Sequence, residues 1–184
     1  MSPLATRAPS RAKVTLRTAE ATDAKKLHAL ITANLKEGHL LPRTLGELTV
    51  RAGQFVVAVR SRKIIGCAEL APLSAQVAEV RSLAVDAAAR GSRVGVTIVD
   101  ELRRRVRREG FERLCAFTHA PGYFIHMGFS IVPHLWLTEK IYTDCVKCSQ
   151  FRQCGQFAMV VPLDSAFDAE RGYGLPATAA APLA

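Results

Sequence analysis

The stretch from residue 77 to residue 108 constrains the fold of this chain more than any other. Val77 to Val85 is a β-rich run, and Asp86 to Gly95 is a turn rich in small residues and arginine. Val94, Ile98, Leu102 and Val106 then recur every four residues, the spacing of an amphipathic helix that buries one stripe, and Gly110 ends it. Backbone N–H groups at a helix start lack intrahelical partners and carry the positive end of the helix dipole. Arg90-Gly91-Ser92-Arg93-Val94-Gly95 therefore makes a cradle suited to an anion such as a phosphate. Arg90 and Arg93 add charge there, and the small residues let the backbone approach a ligand.

The flanking sequence builds a sheet around that unit. Val14 to Thr18 alternates as a strand; Thr22 and Asp23 offer helix caps ahead of Leu27, Leu30, Ile31 and Leu35, whose spacing predicts a helix ending near Gly38. A loop, His39 to Arg43, leads to Thr44 and Glu47, a capping-box pair that opens a short helix through about Arg51, closed by Gly53. Phe55 to Arg60 and Ile64 to Leu70 form a hairpin about Ser61-Arg62-Lys63. Beyond the basic helix come a strand at Arg113 to Thr118, a helix from Pro121 to about Met127, a strand opening at Gly128-Phe129 and a last strand at Phe157 to Pro162. Pro133 to Gln156 is expected to be irregular, with one helical turn. The order β-α-α-β-β-β-α-β-α-β-β predicts an α/β fold, helices packed on a mixed central sheet.

Composition bounds what this fold does. A length of 184 residues suits one domain. It is expected over residues 14–163, between a flexible basic tail at 1–13 and a poorly ordered tail at 164–184 rich in Ala, Pro and Gly. No apolar run approaches the roughly 20 residues of a membrane span, and Met1 to Lys13 lacks the apolar core of a secretory signal, so a cytoplasmic location is expected. The formal charge of +9 is uneven: Arg103, Arg104, Arg105, Arg107, Arg108 and Arg113 crowd one helix and its exit. Aromatic residues make up 7% and none interleaves with these arginines, which leaves a nucleic-acid-binding module as a runner-up only. Cys67 and Cys115 sit in apolar runs. Cys145-x2-Cys148-x5-Cys154 lacks an obvious fourth ligand, His134 being the nearest candidate upstream; no metal is expected there, and reduced thiols or a redox-sensitive pair fit the pattern better.

Ala78 to Asp86, the Arg-Gly turn and the helix together resemble the acetyl-CoA-binding core of the GNAT superfamily of N-acetyltransferases. Phe124-Ile125-His126-Met127-Gly128-Phe129 resembles that superfamily's aromatic-x-x-x-Gly-Phe segment. The resemblance covers about Val14 to Pro162 and implies about six to seven strands flanked by about four helices. It also implies that the third and fourth elements of the sheet splay apart to admit the pantetheine arm of acetyl-CoA, the co-substrate. By the same resemblance Leu83, Ala84, Val85 and Phe124 lie along that arm, and Arg90, Gly91, Ser92, Arg93, Val94 and Gly95 hold the pyrophosphate. The superfamily usually has Gly where Arg93 stands. Leu40 to Thr44, Ala78 to Val85, Tyr142 to Cys148 and Ala158-Met159-Val160 further resemble the short bacterial N-acetylglutamate synthases, which acetylate the α-amino group of glutamate at the first step of arginine biosynthesis.

The residues suit that chemistry. Acyl transfer needs a neutral amine and a stabilised leaving thiolate. Glu79, on a central strand, is the candidate base; its bland alternative is pairing with an arginine. Glutamate carries two carboxylates, for which arginine's fork is the natural partner. Arg81 lies about 7 Å along the same strand face from Glu79, and Arg43 and Lys36 lie on the helix-loop-helix that commonly covers the acceptor in this superfamily. Many members place a general-acid Tyr where Phe124 stands; Tyr123 is the candidate here, one residue away, with His119 and His126 as weaker ones. An acetyltransferase for another amino acid or a protein N-terminus is the alternative within enzymes, and a homodimer is left open.

Overall fold

The computed structural model describes residues 13–35 and 40–163. Lys36, Gly38 and, apart from Lys13, the segments 1–13 and 164–184 set aside as tails lie outside the described residues. The elements are β1 (Thr15–Thr18), α1 (Ala24–Leu35), α2 (Leu45–Arg51), β2 (Phe55–Arg60), β3 (Lys63–Pro72), β4 (Val77–Val85), α3 (Val94–Arg108), β5 (Arg113–Thr118), α4 (Pro121–Ile125), β6 (Ser130–Val132), α5 (Thr138–Thr143) and β7 (Phe157–Pro162). The seven strands make one mixed sheet in the order β1-β2-β3-β4-β5-β7-β6, with β4 and β5 its parallel pair. No helix among the described residues is long and apolar enough to cross a membrane.

Alternation along the strands feeds two cores. On β2, Phe55 and Val57 turn toward α1 and α2, where they meet Leu27, Ile31 and Leu48. Val56 and Ala58 turn the other way and meet Ile98, Leu102 and Val106 of α3. Each of these large side chains is essentially buried, a gain of about 1.5–3 kcal/mol apiece. The β2–β3 hairpin closes through Ser61 and Arg62, both at positive φ (48° and 64°), the geometry of a two-residue primed turn.

Three local expectations need correction. Neither Thr22 nor Asp23 caps α1: a 3-10 turn at Ala21–Asp23 runs into the helix with Glu20 in the capping position. The Asp23 carboxylate accepts instead from the Glu20 N–H (3.0 Å) and pairs with Arg17 (2.6 Å), locking the exit of β1. α4 stops at Ile125, short of Met127, and Gly128 turns the chain into β6 at φ +83°. The segment 133–156 is more ordered than its composition suggests, with α5 and 3-10 turns at His134–Trp136, Cys145–Lys147 and Phe151–Gln153.

One irregularity positions the site. β4 pairs with β5 only from Val77–Arg113 to Val80–Ala116, although β4 continues to Val85 and β5 to Thr118. The register of β4 against β3 shifts between Cys67 and Glu69, so Ser82 and Leu83 together face Ala68, and Ser82 adopts φ +50°. Such a bulge bends its strand. The strands therefore splay between β4 and β5, the fourth and fifth of the chain rather than the third and fourth.

Candidate active site

A cavity of about 1100 Å³ opens at the splay. Its walls are the far half of β4, residues 40–43, the start of α3, α4, and the segment from Lys140 to Gln156.

At one end, α3 begins without a side-chain cap, and Arg93, Val94, Gly95 and Val96 around its first turn line the cavity. Arg93 stands at the capping position in the left-handed region (φ 62°, ψ 12°), which explains why glycine is common there in the superfamily that the sequence resembles. Gly91 also has φ +72°. Arg90 lines the cavity and donates to Asn34 Oδ1 (2.8 Å), fastening the turn to α1. Leu83 and Val85 face the cavity. Ala84 does not: strand alternation turns it toward α1, opposite Cys67, where it is 2% exposed. Ser92 is absent from the lining as well, its hydroxyl turned back onto the Ala89 carbonyl. For these two expected cofactor contacts only main-chain atoms are left.

At the other end sits a compact charge network. Glu79 is 3% exposed, and its oxygens accept from Arg81 Nε (2.6 Å) and from Lys140 Nζ (2.9 Å to each). Asp144 bridges the same two cations, accepting from Lys140 Nζ (2.9 Å) and from Arg81 Nη2. Burial alone would raise the Asp144 pKa, but Lys140 and Arg81 outweigh it and hold the carboxyl below its ordinary value. Burial likewise disfavours the Arg81 cation, and Glu79 and Asp144 more than offset it, so its pKa is raised. Arg43 is nearby but engaged: it pairs with Glu47 (2.9 Å) and the fully buried Glu69 (2.8 Å), and its Nη1 donates to Ser82 Oγ at the bulge (3.3 Å). Arg51 takes the other Glu69 oxygen (2.6 Å). Arg81 and Arg43, expected as open cations awaiting an acceptor, are thus ion-paired within the chain.

Tyr123 and Phe124 both line the cavity. Phe124 is mostly core, edge-on to Phe129 with ring centres 5.2 Å apart. The Tyr123 hydroxyl lies over the first turn of α3, where a Cβ built on Gly95 would collide with it. Burial, then the nearby Asp100 carboxylate, raises the Tyr123 pKa, so the phenol stays protonated and able to donate. The arginines of α3 are largely engaged: Arg104, Arg105 and Arg108 pair with Glu101, and Arg103 bonds the Met127 carbonyl.

Sequence reasoning missed Lys140 and Asp144. Their spacing of four on a helical turn, just after the Gly-Phe strand, was the available signal. It went unused because the segment around them was expected to be irregular.

Residues 22–129 match the family model for acetyltransferases of the GNAT family. An uncharacterized N-acetyltransferase of Chlorobaculum tepidum is 28% identical over 148 residues, covering 80% of this chain and 96% of that protein. An amino-acid acetyltransferase of Mycobacterium tuberculosis is 29% identical over 82 residues, 45% of this chain and 47% of that one. Among solved structures, N-acetylglutamate synthase from Neisseria gonorrhoeae, complexed with coenzyme A and N-acetyl-glutamate, superposes with a TM-score of 0.73 at 24% identity. The match covers 84% of this chain but 36% of the synthase, so this chain corresponds to about a third of that protein. A Mycobacterium tuberculosis protein solved with CoA and NLQ gives a TM-score of 0.69 at 24% identity, over 81% of this chain and 99% of that one. With the family model running from α1 through the splayed strands to the Gly-Phe pair, the chain belongs to the acetyltransferase (GNAT) family.

Proposed function

We propose that this chain transfers the acetyl group of acetyl-CoA to the α-amino group of L-glutamate, by direct attack within a ternary complex. The observation that carries the proposal is the polarity of the cavity. One end offers uncapped helix amides with Arg93, which has no ion-pair partner among the described residues, and suits a pyrophosphate. The other gathers Arg81 and Lys140 around Glu79 and suits an acceptor that is both an anion and an amine. Between them, the β4 backbone beyond Val80 has no β5 partner and is open to a pantetheine arm. The reading places the enzyme in the first step of arginine biosynthesis, in the cytoplasm.

The chemistry follows from exchange of partners. A carboxylate of the acceptor takes the place of Asp144 on Arg81 and Lys140, and the acceptor ammonium comes to the Glu79 carboxylate. Glu79 accepts the ammonium proton, directly or through water, and the freed amine attacks the thioester carbonyl. Collapse of the tetrahedral species expels the CoA thiolate, which takes a proton from the Tyr123 hydroxyl or from water, while the attacking nitrogen gives its second proton to solvent, from which the donor is restored; a thiol with a pKa near ~8.5 is already a fair leaving group. Leu83 and Val85 flank the acyl arm, and Arg90 and the Gly91 turn join α3 in holding the pyrophosphate.

Release of CoA is measured with each of the common amino acids as acceptor. Glutamate is expected to be turned over far faster than lysine. Equal turnover of the two would end the proposal, because a cationic acceptor gains nothing from Arg81 and Lys140.

A further inference from the structure

Three thiols, Cys145, Cys148 and Cys154, line the acceptor end of the cavity. Among the described residues no group of three or more metal-ligating side chains is placed to hold an ion, and the acetyl-transfer chemistry uses none of the three. Two of them share one turn. Cys145 opens a 3-10 turn that the Cys148 N–H closes by donating to the Cys145 carbonyl at 3.0 Å. A turn closed in this way holds its first and fourth Cα atoms within about 7 Å, and a disulfide spans Cα atoms about 4.4–6.8 Å apart. Cys148 is exposed, whereas Cys145 is half-buried behind it.

We propose that Cys145 and Cys148 form a reversible disulfide that weakens binding of the acceptor. The exposed Cys148 loses its proton and attacks a small-molecule disulfide such as oxidised glutathione; the glutathione S–S bond breaks, and one glutathione leaves as thiolate and is protonated. Cys145 then gives up its proton and attacks the Cys148 sulfur of the mixed disulfide, expelling the second glutathione. Two protein thiols are oxidised, and one small disulfide is reduced to two thiols. Burial pushes the Cys145 thiol pKa up and lowers its thiolate fraction, which leaves the exposed Cys148 as the first sulfur to react and Cys145 to follow once the mixed disulfide is held beside it.

The link to the acceptor runs through Asp144. It immediately precedes Cys145 and occupies Arg81 and Lys140, the cations that an anionic acceptor needs. Cross-linking the turn pins its entrance, so Asp144 yields its place less readily. This coupling rests on the glutamate reading; the disulfide itself does not.

The experiment equilibrates the full chain with reduced and oxidised glutathione, then blocks free thiols and digests with trypsin. Cleavage after Lys140, Lys147 and Arg152 puts the three cysteines on separate peptides. A bridge between Ile141–Lys147 and Cys148–Arg152 is expected, along with a rise of about threefold or more in KM for glutamate, kcat staying within about twofold. Cys148→Ser and Cys145→Ser each abolish the difference between oxidised and reduced enzyme, and Cys154→Ser keeps it. A bridge to the peptide that starts at Gln153, or no bridge under oxidised glutathione, overturns the disulfide. A bridge that leaves KM unchanged overturns the coupling. If the bridge forms but the reduced chain does not acetylate glutamate, the disulfide stands and the glutamate reading falls.

Discussion

Arg93 shows how one residue serves conformation and charge at once. The left-handed region costs a non-glycine residue about 1–2 kcal/mol, and Arg93 bears that cost at the capping position of α3. Arg93→Gly removes the strain but loosens the unfolded chain, so the melting temperature is expected to move by only about 2 °C or less, while KM for acetyl-CoA rises several-fold. Calorimetry beside initial-rate kinetics checks both halves. Glu79 poses a sharper test. Glu79→Gln keeps the shape and one acceptor oxygen but removes the base; kcat is expected to fall by about a hundredfold or more, with CoA affinity by titration calorimetry unchanged. Weakening a buried charge network also destabilises, by up to about 3–5 kcal/mol, so circular dichroism must first show the variant folded. Full activity in folded Glu79→Gln would remove Glu79 from the chemistry.

At the scale of elements, periodicity determined what was legible. The strands β2, β4, β5 and β7 show as short runs rich in β-branched and apolar residues and the helix α3 as a four-residue stripe, and the Thr44–Glu47 capping pair announced α2. There the Thr44 hydroxyl accepts from the Glu47 N–H at 3.2 Å, as the pattern required, but the Glu47 carboxylate turns to Arg43 rather than back to the cap. Thr44→Ala is expected to cost about 1 kcal/mol in chemical denaturation. The segment with α5 was opaque because nothing periodic holds it. Lys140 and Asp144 reach Glu79 and Arg81 across 61 and 63 residues; their spacing of four marks a shared helical face but not the distant partners it meets. The place of Tyr123 was equally hidden. Its position one residue from the usual tyrosine suggested a lost contact, yet Gly95 leaves room for its hydroxyl against α3. Gly95→Ala is expected to displace that ring and lower kcat, with glutamate KM little changed.

Across the whole molecule, the order of elements and the mixed sheet followed from the residue patterns, whereas the splay came only with the family resemblance and one strand pair away, because it arises with a one-residue mismatch between β3 and β4 that hydrophobic patterning cannot register. Acid stability belongs to this scale too. The hydrogen bond from Arg17 holds the Asp23 carboxyl below its ordinary 3.8, and Lys140 and Arg81 do the same for Asp144. A carboxylate whose folded pKa is depressed stabilises fully above its unfolded value and loses that contribution as pH falls through the folded one. Melting temperature is therefore expected to be level above about pH 5 and to drop below about pH 4, with a smaller drop in Asp23→Asn because that variant has already given up its share. The parted strands carry one last consequence. Unzipped amides at the rim of a sheet invite other chains to add on and grow into fibres; here the raw seam lies mid-sheet, fenced by residues 40–43 on one bank and 140–156 on the other, so its open amides face an inner hollow and leave no outer rim for such growth.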